Sequence, residues 1–205
     1  METMPQPPLK GNVKREAVDS MRGYSYQILR SIEAWIDLGD GDVLALEGAE
    51  DLDLRLEGGA TTAEQIKDTS RSGTITLRSQ NVIEAIGNYW EHLQRNPGVS
   101  IRFRYLTTSG VGREKSKPLG FDQSGIDAWR QIQAERTSTS SLEIATGIQS
   151  FLSEQELLSS QLRNWLKTAS VQDFIERIVM PIEWVTGWPE WRDLHAVLVA
   201  KLVEL

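Results

Sequence analysis

Apolar residues in the first third of the chain change from a helical spacing to a strand spacing. Between Ala17 and Leu38 they recur every three or four positions, which predicts a helix that ends at the turn 39–42. Val43 to Leu46 then predicts a short buried strand. From Asp51 to Leu56 leucines alternate with charged residues, as expected for a strand with one buried face and one polar face.

The pattern continues with a strand, a helix and another strand. Gly58 and Gly59 predict a turn, and Thr61 to Asp68 then predicts a strand, although Ala63 to Gln65 would also suit a helix. A helix is predicted from Ser79 to Arg95, and Val99 to Thr107 predicts a strand before a loop that runs to Pro118. The order α-β-β-β-α-β predicts an α/β fold.

The remaining pattern is helical from Ile126 onward, with a Thr/Ser-rich break at 137–141. We therefore expect a single domain with a loose leader at 1–16, an α/β core at 17–118 and a helical extension at 119–205. Trp184, Trp188 and Trp191 are expected to pack or to form a docking interface. The last residues carry no helix stop signal, so we expect a longer parent protein, with a further domain, to continue past Leu205.

Composition narrows the chemistry that the chain can perform. It contains no cysteine and two well-separated histidines, His92 and His195, so any bound metal must be held by carboxylates. Neither histidine is expected in a site. No apolar run approaches the roughly 20 residues that a bilayer requires, and the start lacks a signal-peptide pattern. We expect a cytoplasmic protein with no membrane partner.

Charge is unevenly distributed along the chain. The formal net charge is -7, which disfavours a protein that constantly coats nucleic acid. Residues 37–57 contain eight acidic residues and one basic residue, Arg55. Residues 95–117 have the opposite balance, with six basic residues and one acidic residue, Glu114. The candidate nucleic-acid contacts in that basic segment are Arg102, Arg104, Arg113, Lys115 and Lys117. These residues would bind phosphate together with the hydroxyls and amides of the loop 107–113, or they form a charged surface loop.

The acidic strand and the strand after it form the most informative unit. If they pair as a hairpin, Asp51 and Asp53 lie on one face, and Gln65 and Lys67 can lie beside them. Mg²⁺ prefers oxygen ligands, so Asp51 or Asp53 would hold it and Gln65 would add a neutral oxygen. Lys67 would position or deprotonate the attacking water and stabilise charge on phosphorus.

These motifs resemble a known superfamily. The helix motif Gly23-x-x-Tyr26-Gln27, the acidic segment from Glu47 to Asp53 and Gln65-x-Lys67 resemble PD-(D/E)xK restriction-endonuclease-like proteins. The resemblance is greatest to the nuclease domain of CD-NTase-associated antiphage effectors and of antiviral STAND ATPases. It implies a mixed central sheet flanked by helices and covers about half of the chain.

The resemblance implies a Mg²⁺-dependent endonuclease, in which Mn²⁺ would substitute, acting on double-stranded DNA. Asp53, Gln65 and Lys67 would be catalytic, with Asp51, Asp53 and Gln65 as metal ligands and Glu47 as an additional one. The first helix would contribute through Gln27, or through Glu33 further along. Oligomerisation would activate the domain, driven by a sensor, nucleotide-hydrolysing or motor module in the same chain or a partner chain.

Two alternatives remain open from the sequence. Gln27 and Gln65 stand where relatives carry Glu, which would suit a non-catalytic adaptor that keeps the nuclease fold. The same site could also cleave RNA.

Overall fold

A five-stranded mixed sheet forms the centre of the protein. Its strand order is β1-β2-β3-β5-β7 in the computed structural model, which describes residues 17–57, 59, 61–69, 73–115 and 119–204. The strands β1, β2 and β3 pair antiparallel, whereas β5 and β7 continue the sheet parallel to β3. The strands of this sheet are β1 Val43–Leu46, β2 Leu52–Arg55, β3 Thr61–Lys67, β5 Ile101–Thr107 and β7 Ile182–Thr186.

A second, two-stranded sheet pairs β4 (Thr74–Ile75) with β6 (Gly110–Val111) in parallel. The helices surround the main sheet. They are α1 Ala17–Ile36, α2 Gln80–Arg95, α3 Gly125–Ala134, α4 Thr139–Ser153, α5 Ser160–Thr168, α6 Val171–Phe174 with the π-helix Ile175–Val179, and α7 Trp191–Glu204. None of the helices in the described ranges has the length and apolar character needed to cross a membrane.

Each face of the sheet has its own hydrophobic core, because side chains alternate along each strand. Ala63, Phe103 and Tyr105 point to the face covered by α2 and the helices α3 to α6. Ile66 and Leu106 point to the opposite face, which α1 and α7 cover. We call these the α2 face and the α1 face.

The structure confirms the α/β class and the mixed central sheet flanked by helices. The segment Thr61–Lys67 is a strand, so the helical alternative for Ala63 to Gln65 is wrong. Val43–Leu46 is a strand but not a buried one, because it lies at the edge of the sheet with Val43 and Leu46 more than half exposed. The predicted leader at 1–16 lies outside the described residues.

The prediction of an entirely helical C-terminal extension is wrong at Ile182–Thr186. This segment forms β7 beside β5, and Trp184 is buried against Tyr105 in an edge-to-face ring contact. The alternation of Ile182 and Trp184 with Glu183 is a strand pattern, but nearby tryptophans and prolines obscure it in the sequence.

Candidate metal and nucleic-acid site

The β2-β3 hairpin places three of the predicted residues on one face of the sheet. Asp53 is the register partner of Ala63, whose side chain belongs to the α2 face. By alternation along β3, Gln65 and Lys67 lie on that same face. The hairpin predicted from the sequence therefore forms, with Asp53, Gln65 and Lys67 on the α2 face, while Asp51 lies in the bend just before β2.

Asp51 connects the end of β2 to the backbone of β3. Its Oδ2 accepts a hydrogen bond from the Ile66 amide at 2.7 Å, at the point where β2 no longer pairs with β3. The carboxylate thus lies directly against the peptide that follows Gln65. Its other oxygen has no hydrogen bond to a described residue.

Asp53 instead stabilises the loop between β1 and β2. Its carboxylate accepts hydrogen bonds from the amides of Ala49 at 2.6 Å and Glu50 at 3.4 Å. A Cβ atom at Gly48 would overlap Asp53 Oδ2, so this close approach requires glycine. Both oxygens of Asp53 are therefore engaged with the backbone.

Gln65 offers a buried oxygen to the same face. Its side chain is 9% exposed, and Oε1 has no hydrogen-bond partner among the described residues. An unpaired buried amide oxygen is costly, so a ligand at this position would be stabilising. Gln65 Oε1 and the open oxygen of Asp51 are each of the oxygen type that a hard cation prefers as a ligand.

On its other side Gln65 neighbours Tyr105 of β5. Burial raises the pKa of Tyr105 to about 12, and the carboxylate of Glu84 adds to the shift. The phenol therefore stays neutral at physiological pH.

Lys67 ends β3 and is partly exposed. No ion pair joins it to another described residue, so its ammonium is available to an anionic ligand. Next to it, the hydroxyls of Thr69, Thr107 and Ser109 bond to one another and fix the ends of β3 and β5. Because these hydroxyls are engaged internally, they contribute rigidity to the end of the sheet.

Few of the described side chains at this site could hold a metal ion. Within the described ranges, no cluster of three or more His, Asp or Glu side chains is placed to hold a metal ion. A cation here would be bound by Asp51, Gln65 and backbone carbonyl or water oxygens, a donor set typical of Mg²⁺.

A buried pair that the sequence did not indicate lies beside these residues. Glu50 Oε1 is 2.7 Å from His92 Nε2 on α2, and both side chains are less than a tenth exposed. The His92 ring also stacks on Phe103, with ring centroids 6.2 Å apart. One sequence feature could have indicated this pair. His92 lies on the apolar face of α2, and a histidine buried there needs a partner such as a carboxylate of the acidic segment 37–57.

The other predicted metal ligands do not join this group. Glu47 is exposed at the end of β1, where its φ of 53° is in the left-handed region. Gln27 and Glu33 belong to α1, which packs on the opposite face of the sheet. Glu33 is paired there with Arg30 at 3.3 Å.

Arg104 belongs to an ion network on the α1 face that is centred on a buried carboxylate. Glu64, 1% exposed, pairs with Arg30 at 2.8 Å and with Arg104 at 3.3 Å, and Arg104 also pairs with Glu183 at 3.0 Å. Burial alone would lower the pKa of Arg104, but its bonds to Glu183 and Glu64 raise it. The network is structural.

Arg102 and Arg104 therefore do not lie beside Lys67, contrary to the expectation from the sequence. Both project from the α1 face, and they line a cleft of about 460 Å³ with Thr62 and Gln133. This cleft lies toward the start of β5, the end of the strand away from Lys67.

Arg113 and Lys115 lie in the loop that follows β6. Both are exposed, and between them Glu114 accepts hydrogen bonds from the amides of Leu77 and Gly125. That anchor fixes the loop next to the start of α2. The chain reaches this loop from Thr107, the last residue of β5 and the register partner of Lys67, by way of β6. Lys117 is outside the described residues.

Comparison with known proteins gives no relative for this chain: it matches no family model, no curated protein and no solved structure.

Proposed function

We propose that this chain is a Mg²⁺-dependent DNA endonuclease that serves as an effector domain in bacterial antiphage defence. The observation that carries the proposal is on the β2-β3 hairpin, where Asp51 bonds to the Ile66 amide of β3 and Gln65 and Lys67 share one face of that strand. The strand pairing also supports it, because the order α-β-β-β-α-β with β5 parallel to β3 suits the superfamily that the motifs resemble.

Asp51 is the better candidate for the metal carboxylate and Asp53 for a positioning role. The two oxygens of Asp53 hold the loop amides of Ala49 and Glu50, whereas Asp51 keeps one oxygen open. Gln65 Oε1 would supply the second protein oxygen. When bound, the cation would polarise the scissile phosphate and acidify a water molecule.

Lys67 would bind the non-bridging oxygens of that phosphate and stabilise the charge that grows on them during hydrolysis. Because Lys67 follows Gln65 by two residues, its side chain leaves the same face of β3, with its Cα roughly 7 Å further along the strand. Arg113 and Lys115 would bind flanking phosphates of the DNA.

A net charge of -7 and a short basic loop predict weak DNA binding by one copy. Several copies held together would add their contacts, so assembly should increase affinity through multivalency. Oligomerisation, driven by a sensor or motor module, is therefore part of the proposal.

The test is cleavage of supercoiled plasmid with Mg²⁺, using the chain alone and the chain fused to a multimerising scaffold. Lys67→Ala is compared with Lys167→Ala, which removes an exposed lysine of α5. The proposal expects cleavage by the assembled wild type and the Lys167 variant but not by the Lys67 variant. Equal cleavage by all three would refute the assigned site.

A second candidate is a non-catalytic adaptor with the same fold. It is favoured by the engagement of both Asp51 and Asp53 with backbone amides, and by the lack of a three-carboxylate cluster in the described part of the chain. An adaptor predicts no cleavage of plasmid DNA or of RNA in any assembled form.

A further inference from the structure

The outer surface of α1 is apolar where a surface helix is normally polar. Four large side chains project from it into solvent, and they are 44–68% exposed. They are Met21, Tyr24, Ile28 and Trp35. The other side of the same helix already packs on the sheet through Tyr26 and Leu29, so α1 has two apolar faces and only one is covered. We call the uncovered face the α1 stripe.

The spacing of the α1 stripe is that of a helix-helix seam. Met21, Tyr24, Ile28 and Trp35 follow one another at intervals of three, four and seven residues, which are successive a and d positions of a heptad. The intervening d position is Ser31, which is only 8% exposed and bonds through its hydroxyl to the Gln27 carbonyl, so the exposed stripe is interrupted there. The stripe runs roughly 21 Å along the helix.

We propose that the α1 stripe is the interface of a homodimer in which two copies of α1 pair antiparallel about a two-fold axis at Ile28. Met21 and Trp35 are each seven residues from Ile28, so this axis places Met21 of each copy against Trp35 of the other. A thioether against an aromatic ring is a favourable contact. A two-fold interface must be self-complementary in this way.

The exposed area supports a second copy as the occupant. Tyr24 and Trp35, more than half exposed, together with Met21 and Ile28, offer on the order of 400 Å² per copy, about half of a standard interface side. Helix α7 lies along α1, tied to it by the Lys201 to Asp37 ion pair at 2.6 Å, and it also exposes Leu202 and Val203. These two side chains are 52% and 82% exposed and add apolar area near the C-terminal end of α1.

This inference concerns the assembly that the proposed function requires, but mass and cross-linking test it without any cleavage assay. We expect sedimentation of the full chain to give a dimer and Ile28→Lys a monomer. The dissociation constant of the Ile28→Lys dimer should be at least about a hundredfold higher than that of the wild type, since lysine ammonium groups would be buried without partners at the two-fold axis. Val99→Lys, which changes a comparably exposed apolar residue away from α1, should remain dimeric.

Because the chain has no cysteine, single thiols can report the register. Under a mild oxidant, the thiol of Ile28→Cys should form a disulfide with the same residue in the second subunit. A mixture of Met21→Cys and Trp35→Cys should cross-link with each other and not with themselves. Monomeric wild type, a dimer that survives Ile28→Lys, or self-cross-linking of Met21→Cys would each overturn the proposal. If the wild-type chain forms this dimer but does not cleave plasmid DNA, the result counts against the nuclease assignment and not against the dimer.

Discussion

His92 on α2 and Glu50 in the β1-β2 loop form a buried pair at 2.7 Å, and this pair holds the acidic loop against the helix. Asp51 follows Glu50 directly, so the same contact restrains the candidate metal carboxylate. The pair thus links the packing of α2 to the geometry of the site.

We predict that His92→Ala leaves Glu50 buried without a partner and lowers the free energy of unfolding by about 1–3 kcal/mol. For a chain of this size the melting temperature should fall by roughly 2–12 °C. The variant should also cleave plasmid more slowly than the wild type at temperatures where both are folded, since Asp51 would be less well positioned. His195→Ala, which removes an exposed ring stacked on Trp191, is the matched control and should retain activity. Equal decreases in activity in both variants would contradict this role.

Gly48 is predicted to be required for the loop that Asp53 holds. In Gly48→Ala the new methyl group would displace the Asp53 carboxylate from the amides of Ala49 and Glu50, and the loss of these hydrogen bonds at a largely exposed site should cost about 1 kcal/mol. Gly23→Ala, at a helical position with open space around it, should instead stabilise the protein by about 0.5–1 kcal/mol. Chemical denaturation of the two variants measures both values. A Gly48→Ala variant as stable as the wild type would contradict the loop assignment.

The Glu64 network should be a large contributor to stability. Glu64→Ala removes a buried carboxylate from between Arg30 and Arg104. We expect a loss of about 1.5–3 kcal/mol, because the buried Arg30 loses its closer carboxylate and keeps only Glu33 at 3.3 Å. Glu183→Ala removes the exposed partner of Arg104 and should cost no more than about 1 kcal/mol. Thermal unfolding distinguishes these expectations. Equal effects of the two substitutions would mean that burial of the network is not what stabilises it.

DNA binding should depend on the loop after β6 and not on the α1 face. We predict that replacing Arg113 and Lys115 by alanine weakens binding to any DNA sequence. The slope of the logarithm of affinity against the logarithm of salt concentration should fall by about 0.9 for each phosphate that the protein no longer neutralises. Arg102→Ala should change neither the DNA affinity nor the slope of its salt dependence, because Arg102 projects from the α1 face of the sheet. Fluorescence anisotropy over a range of salt concentrations makes the comparison, and an Arg102 effect as large as that of the loop would contradict it.

Local patterns in the sequence are sufficient to predict the hairpin. Alternating leucines around Asp53 indicate which side chains share a face. In the structure Asp53 pairs with Ala63, and Gln65 and Lys67 follow two and four residues later on the same strand, so alternation gives them the same face. Such faces follow from the two-residue period of a strand, which needs no knowledge of distant residues.

Contacts between distant elements could not be predicted in this way. Arg104 alternates with apolar residues as a solvent-facing arginine would, but Glu64 and Glu183 from neighbouring strands hold it in an ion network. His92 resembles an ordinary core histidine until the loop after β1 brings Glu50 to it. In both cases the partner lies tens of residues away, so burial and pairing depend on the tertiary fold.

The central claim is that the α2 face of the hairpin binds a divalent cation, and metal-dependent thermal unfolding tests it most directly. Mn²⁺ or Mg²⁺ at about 100 times its dissociation constant should stabilise the wild type by about 2.7 kcal/mol, or roughly 5–10 °C. Asp51→Asn keeps an oxygen for the Ile66 amide but loses the charge, so its melting temperature should not respond to the metal. Asp122→Asn, at an exposed position, should respond as the wild type does. No shift in the wild type, or the same shift in Asp51→Asn, would contradict the claim.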